Sequence, residues 1–420
     1  MRSLFDQYFE YTKDTEPPLI FHRWSMLTCV GAMLGRQYRL PFGDFNIHPN
    51  MYTMLIGDPG TRKSTAIKLA KKVLSGAGYE KFAADRTSKE KFLLDLEGVV
   101  GDEGEVLSKS AVMSNLFGDD LSMEAKEVFI VADEFNEFVG SSNLEFLSLL
   151  GSLWDYDDPA APFKQRLKTS KSVSIYQPTI SILSGNTHAG FAEAFPPQAL
   201  GQGFMSRLIL VYGEASGKKI TFPERPPEQL RQKLLDTLKE IKHNVFGEAK
   251  LTPKAKEMLE TIYRSFEGLE DVRFKHYSTR RFTHLLKLCL ISSACDLRKE
   301  ITATDVIMAN TLLTFTEHNM PRAMGEFGKA RNADVSAKIL SMLSSAKSPQ
   351  DTPAIWKQVQ SDLDRLEDLQ KMLAGLIQAN KIQYVQRGAS RTAQGYLIVK
   401  QVLSNKSVYV DYSLLKESGR

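Results

Sequence analysis

The chain has 420 residues, a formal net charge of +4, 42% hydrophobic and 25% charged residues. That balance is ordinary for a globular protein, and the length calls for two or three domains rather than one small core. It argues against a membrane protein, because no run approaches the roughly 18 to 20 apolar residues of a span.

Met1-Arg2-Ser3-Leu4-Phe5-Asp6-Gln7 lacks the basic-then-apolar layout of a secretory signal. Cys29, Cys289 and Cys295 form no metal-ligand spacing. An odd set of scattered thiols is expected to stay reduced and buried, in a cytoplasmic protein. Residues 1–50 read as helical, with Phe21–Leu34 apolar on more than one face, until Pro41, Gly43, Pro49 and Asn50 break the pattern. This segment is expected to pack on a domain spanning 51–224. His22 and His48 read as core or surface histidines.

The next stretch organises the chain. A short strand, Tyr52–Ile56, runs into Gly57-Asp58-Pro59-Gly60-Thr61-Arg62-Lys63-Ser64-Thr65 and then a helix that Gly76 and Gly78 end. This is the layout of a phosphate-cradling loop. Backbone N–H groups and a helix N-terminus face the anion, Lys63 reaches the terminal phosphates, and the Ser64 hydroxyl is placed to ligate Mg²⁺. Arg62 stands where the usual pattern has glycine. A helix over 87–96 follows, capped by Thr87 or Ser88 with Glu90 in its first turn. Residues 97–125, rich in Gly, Ser and acids, read as a connection.

Val128-Phe129-Ile130-Val131-Ala132 suits a strand of a parallel sheet covered on both faces. It ends in Asp133-Glu134, at the edge where such sheets place ligands. ATP hydrolysis needs such a pair, one carboxylate for the Mg²⁺ shell and one to polarise the attacking water. After a helix over 146–154 and a turn at Tyr156–Pro159, Phe163–Ile175 carries Lys164, Arg166, Lys168 and Lys171 without an acid. Its alternation and central Thr-Ser predict a hairpin, either a solvated surface or a phosphate grip. Pro178–Thr187 reads as another buried strand that brings Asn186 towards the γ-phosphate if it lies beside the Asp133 strand. Gly203–Tyr212 reads as one more strand, with Arg207 at its start. An arginine at such a rim is either simply solvated or an inter-subunit arginine finger.

Residues 225–328 read as all helix, a lid. Tyr277 opens a long helix, which puts Arg280 and Arg281 in a first turn where cations are unfavourable unless an anion is near; Asp271 or Glu270 would serve as a plain partner. Thr302 caps the next helix, with Asp305 three residues on. A linker over 326–334 leads to a domain at 329–400, with three helices and then two strands over 381–386 and 395–400. That is the order of a winged helix, with Arg387 and Arg391 at the wing tip. Residues 331–420 hold 13 Lys+Arg against 8 Asp+Glu, leaving 41 against 42 elsewhere, so the positive excess sits here. Residues 401–420 read as a tail.

In order, these signals resemble an AAA+ P-loop ATPase, specifically the MCM-type replicative helicases and the P-loop proteins of phage and plasmid primase–helicase systems. The Thr61-Arg62-Lys63-Ser64-Thr65 form of the loop is similar to that of the latter group. Asp133-Glu134 resembles Walker B, Asn186 sensor 1, Ser206-Arg207 the arginine-finger segment, and Arg280 with Phe282 and Leu285–Leu288 the sensor-2 helix. The resemblance implies an α/β nucleotide-binding domain with parallel sheet and flanking helices, a helical lid and a C-terminal winged helix.

It also implies ATP and Mg²⁺ as cofactors and a homo-oligomeric ring, expected to be a hexamer, with shared ATP sites. Lys164, Arg166, Lys168 and Lys171 would contact single-stranded or forked DNA, and other replication proteins would be partners. The setting would be the cytoplasm, that of a bacterial host if the chain is phage-encoded. With residues 1–50 ahead of the phosphate loop, the DNA-encircling N-terminal tier of MCM proteins is expected to be absent. The alternative function is an ATP-switched initiator or helicase loader that does not unwind.

Overall fold

The computed structural model describes the chain except residues 1, 99–124, 159–160, 168–171, 196–198, 200–202, 326–332, 347, 364, 379–381, 386–394, 399–407 and 416–420. Two compact units emerge, residues 1–327 with 407–420, and residues 328–406.

The larger unit begins with α1 (Arg2–Thr12), α2 (Leu19–Leu34), the hairpin β1 (Tyr38–Phe42) and β2 (Phe45–Ile47), β3 (Tyr52–Ile56) and α3 (Lys63–Gly76). It continues through α4 (Lys89–Glu97), β4 (Glu127–Ala132), α5 (Phe135–Val139), α6 (Leu144–Leu153), β5 (Phe163–Arg166), β6 (Ser172–Ile175) and β7 (Thr179–Asn186). Then come α7 (His188–Ala194), α8 (Gly203–Arg207), β8 (Leu208–Tyr212), α9 (Glu228–Asn244), β9 (Gly247–Glu248), β10 (Lys250–Leu251) and α10 (Pro253–Ser265). α11 (Lys275–Cys295), β11 (Glu300–Ile301) and α12 (Ala303–Met324) follow.

The central sheet has the order β4-β7-β3-β8 and is parallel throughout. Every residue of β3 and β7 is buried, which is why both strands read as unbroken runs rather than alternations. α2, buried from Phe21 to Leu34, packs on α3 and β7. The polar groups it carries inward are paired: Thr28 Oγ1 donates to Thr53 Oγ1 at 2.8 Å, and Trp24 Nε1 to Thr316 Oγ1 at 2.9 Å. Ser88 caps α4 through the Lys91 amide, and Thr302 and Asp305 form a capping box on α12. Asn310 Nδ2 donates to the Val408 carbonyl, and Thr311 Oγ1 accepts from the Asp411 amide, which fixes the returning C-terminal segment on α12.

Several local expectations are corrected. Residues 38–47 form an antiparallel hairpin rather than a continuation of helix. Gly203–Arg207 is a short helix, so Arg207 precedes the strand instead of starting it. The lid is not purely helical, because β9 pairs with β1 and β10 with β11. α11 begins at Lys275, which moves Arg280 and Arg281 out of its first turn and removes the helix-dipole argument for an anion beside them.

The smaller unit holds α13 (Ala333–Ser345), α14 (Thr352–Val359), α15 (Leu366–Gln378) and the antiparallel pair β12 (Ile382–Val385) and β13 (Gly395–Ile398). Gln350 adds an antiparallel bridge to Tyr396. Its own core includes Val335, Ile339, Leu343, Ile355, Leu369, Leu373 and Ile382. No described helix in either unit is long and apolar enough to cross a membrane.

Candidate functional site

Strand register decides which side chains meet. Ile56, the last residue of β3, stands opposite Asn186 on one side and Tyr212 on the other. Ala132, the last residue of β4, stands opposite Ser184, so Asp133 and Glu134 leave their strand level with Gly185 and Asn186. The phosphate loop, the carboxylate pair and Asn186 therefore share the C-terminal edge of three adjacent strands, with Asn186 in the middle.

Residues 57–65 have the backbone a phosphate-cradling loop requires. Gly60 has φ +87°, and Arg62 takes the left-handed conformation at φ +64°, ψ +29°, directly before α3. Glycine is usual there because that region costs a side-chain-bearing residue about 1 kcal/mol. Arg62 occupies it with its Nε donating to Glu16 Oε2 at 2.5 Å, while Glu16 Oε1 accepts from the Ile220 amide at 3.0 Å. One carboxylate thus ties the segment before α2, the phosphate loop and the connection before α9. Hydrogen bonds from Ile220 and Arg62 hold the Glu16 carboxyl below its usual range.

Lys63 is buried, and its ammonium donates to the carbonyls of Gly57 at 2.7 Å and Asp58 at 3.0 Å and to Thr61 Oγ1 at 3.2 Å. Burial lowers its pKa, while Asp58 and Glu134 pull the other way, which places both carboxylates within electrostatic reach. Gly185 makes the meeting possible: a Cβ there would stand 2.7 Å from the Asp133 carbonyl oxygen and 3.5 Å from Lys63 Cβ. Asp133 pairs with Lys68 at 2.6 Å, and Glu134 is exposed. Asn186 is 1% exposed; its Oδ1 accepts from the Thr187 amide at 3.0 Å, and its Nδ2 has no partner. An unsatisfied donor that deep is costly unless a ligand meets it.

These groups fit a nucleotide with Mg²⁺. The cradle offers a cation, positive-φ backbone and the free Asn186 donor; Ser64 and Asp133 are oxygen donors of the kind Mg²⁺ takes. Beside the loop lies a cavity of about 640 Å³, lined by Tyr11, Thr15, Arg62, Thr65, Leu69 and Pro223 among others. Its size and mixed lining suit a base and sugar. At the far rim Arg322, from the end of α12, sits 4.5 Å over the Tyr212 ring and pairs with Glu214. His188 lies 3.8 Å from Asp58. Sequence reasoning missed Glu16, Tyr11, His188 and Arg322, since only tertiary packing brings them here.

Arg207 and Arg280 are not part of this cluster. Arg207 precedes Leu208, which pairs with Tyr52 at the opposite edge of the sheet. Five strand residues separate the two edges, about 16 Å. There Arg207 and Arg280 both pair with Asp155, at 3.1 and 2.7 Å. Arg281 is buried against Glu317 and Asn310, so it is a core ion pair rather than a ligand group.

β5 and β6 form the expected antiparallel hairpin, Lys164 opposite Ser174 and Arg166 opposite Ser172. Both cations are on its exposed face. Lys168, Lys171, Arg387 and Arg391 lie outside the described residues. No protein-family model matches the chain, and no curated protein matches it either.

Proposed function

We propose that this protein is an ATP-dependent DNA translocase of the AAA+ type, similar in its working parts to MCM-like helicases, and that it works as a ring whose ATP sites are shared between subunits. The observation that carries the reading is the convergence of Lys63, Asp133, Glu134 and the unpartnered Asn186 amide on one sheet edge. The base and sugar of ATP enter the cavity beside Tyr11 and Arg62. Lys63 leaves the loop carbonyls for the terminal phosphates, and Ser64 and Asp133 hold the metal. Mg²⁺ bound there offsets the charge of the phosphoryl oxygens.

Glu134 polarises the attacking water, and Asn186 Nδ2 orients it or the γ-phosphate. Arg207 and Arg280 stand too far from their own loop to act on it, so they serve the neighbour's nucleotide and complete its site. The Lys164–Lys171 hairpin grips DNA phosphates. The smaller unit, three helices and then a strand pair, is read as a winged helix with Arg387 and Arg391 on its wing.

Glu134→Gln is expected to retain ATP binding and lose turnover, and wild-type protein with ATP is expected to displace a strand from forked DNA. Wild-type turnover in Glu134→Gln would remove Glu134 from the chemistry. ATP-dependent DNA binding with no displacement would instead make the protein an initiator or loader.

A further inference from the structure

Trp154 and Asp155 follow α6 at the sheet edge away from the phosphate loop, and three cations crowd them. Asp155 Oδ1 accepts from Arg207 Nη2 at 3.1 Å, and Oδ2 accepts from Arg280 Nη1 at 2.7 Å. The Arg207 and Arg280 guanidinium carbons lie 5.7 and 5.9 Å from the centroid of the Trp154 ring, and the Lys287 ammonium lies 4.3 Å from it. Lys287 is committed elsewhere, to the His48 carbonyl at 2.7 Å and Asn50 Oδ1 at 2.6 Å. Arg207 Nη1 donates to the Gly203 carbonyl at 2.7 Å, and its Nε is buried with no partner.

Two guanidiniums that share one ring would repel unless a counter-charge lay between them. Asp155 is that charge, and a single carboxylate leaves net positive charge for an anion to meet. The Asp155 and Arg280 side chains, 40% and 34% exposed, open the cluster on one side, while Arg207 lies behind them at 11%.

We propose that Asp155 is a positioning residue that holds Arg207 and Arg280 as a pair over Trp154, so that both reach the same phosphoryl group of a neighbouring subunit's nucleotide. This rests on the shared-site reading above. Asp155 touches neither nucleotide nor water; it fixes the angle between two groups that do. A misplacement of about 1 Å in such groups costs about 10²-fold in rate.

Trans-complementation in the full-length protein tests it. Asp155→Asn alone is expected to lose about 10²-fold in ATPase kcat with KM for ATP unchanged, and Glu134→Gln alone to be inactive. Mixed one to one, an intact phosphate loop from the first variant meets intact arginines from the second at about a quarter of interfaces in a ring. Turnover should then recover to about a quarter of wild type. A mere folding defect in Asp155→Asn would not be rescued this way, so failure to recover overturns the proposal. Wild-type kcat in Asp155→Asn, beside a large loss in Arg207→Ala, overturns it while leaving the shared site standing. Undiminished turnover in Arg207→Ala removes the shared site, and this proposal with it.

Discussion

At one edge of the central sheet Lys63, Asp133, Glu134 and Asn186 end three neighbouring strands; at the other, Arg207 and Arg280 meet on Asp155. The first edge leaves a donor unsatisfied and binds its lysine only to neutral oxygens. The second carries more positive than negative charge. On the proposed reading the first edge takes cations from a neighbour to offset a transferring phosphoryl group, and the second supplies them. On that reading, head-to-tail association of chains would bring the two edges together, in a ring where the rotation between subunits closes.

Substitutions can break this comparison edge by edge. Arg207→Ala should lower turnover by about 10³-fold or more while leaving ATP affinity near wild type, measured by steady-state ATPase and nucleotide binding. Asn186→Ala should cost about 10²-fold in kcat, the scale of one lost donor at the reacting centre. A comparable loss of ATP affinity instead would make Asn186 a ground-state ligand. Lys164→Ala with Arg166→Ala should reduce the slope of log K for DNA against log salt by about 2. An unchanged slope would detach the hairpin from DNA.

A separate effect concerns pH. Burial drives His22 and His284 to about 3 and His48 to about 4, so they stay neutral in the fold while the unfolded chain protonates near 6.5. The unfolded state then binds more protons below 6.5, and stability should fall as pH drops from 6.5 towards 4, by about 1 kcal/mol per pH unit for each histidine. Chemical denaturation at stepped pH measures it. Replacing His284 should flatten the slope.

Much of the edge that holds Lys63 could be read from the sequence, because buried parallel strands announce themselves as apolar runs and their polar ends follow in order: Gly57 after Ile56, Asp133 after Ala132, Asn186 at the end of β7. Local chemistry also marked the cap at Thr302 and narrowed the other to Thr87 or Ser88, of which Ser88 caps α4. The opposite edge was obscured. α8 is only five residues long and runs into β8 with no Gly or Pro between them, so periodicity could not separate helix from strand. α11 starts at Lys275 without a side-chain cap, which hid its true first turn. β1 contains Pro41 and is short, so it read as a break. Asp155 follows a predicted helix in an acidic turn, and nothing local distinguishes it from Asp157, which instead binds Arg36. Arg62 is the instructive residue: a departure from the glycine pattern proved compatible with the required backbone once Glu16, far away in sequence, gave its side chain a partner.

ATPase turnover per chain measured against protein concentration, with oligomer size followed in parallel, tests the shared site most directly. Turnover is expected to rise steeply with assembly while ATP affinity per chain changes little. Constant turnover per chain from monomer to oligomer would contradict it.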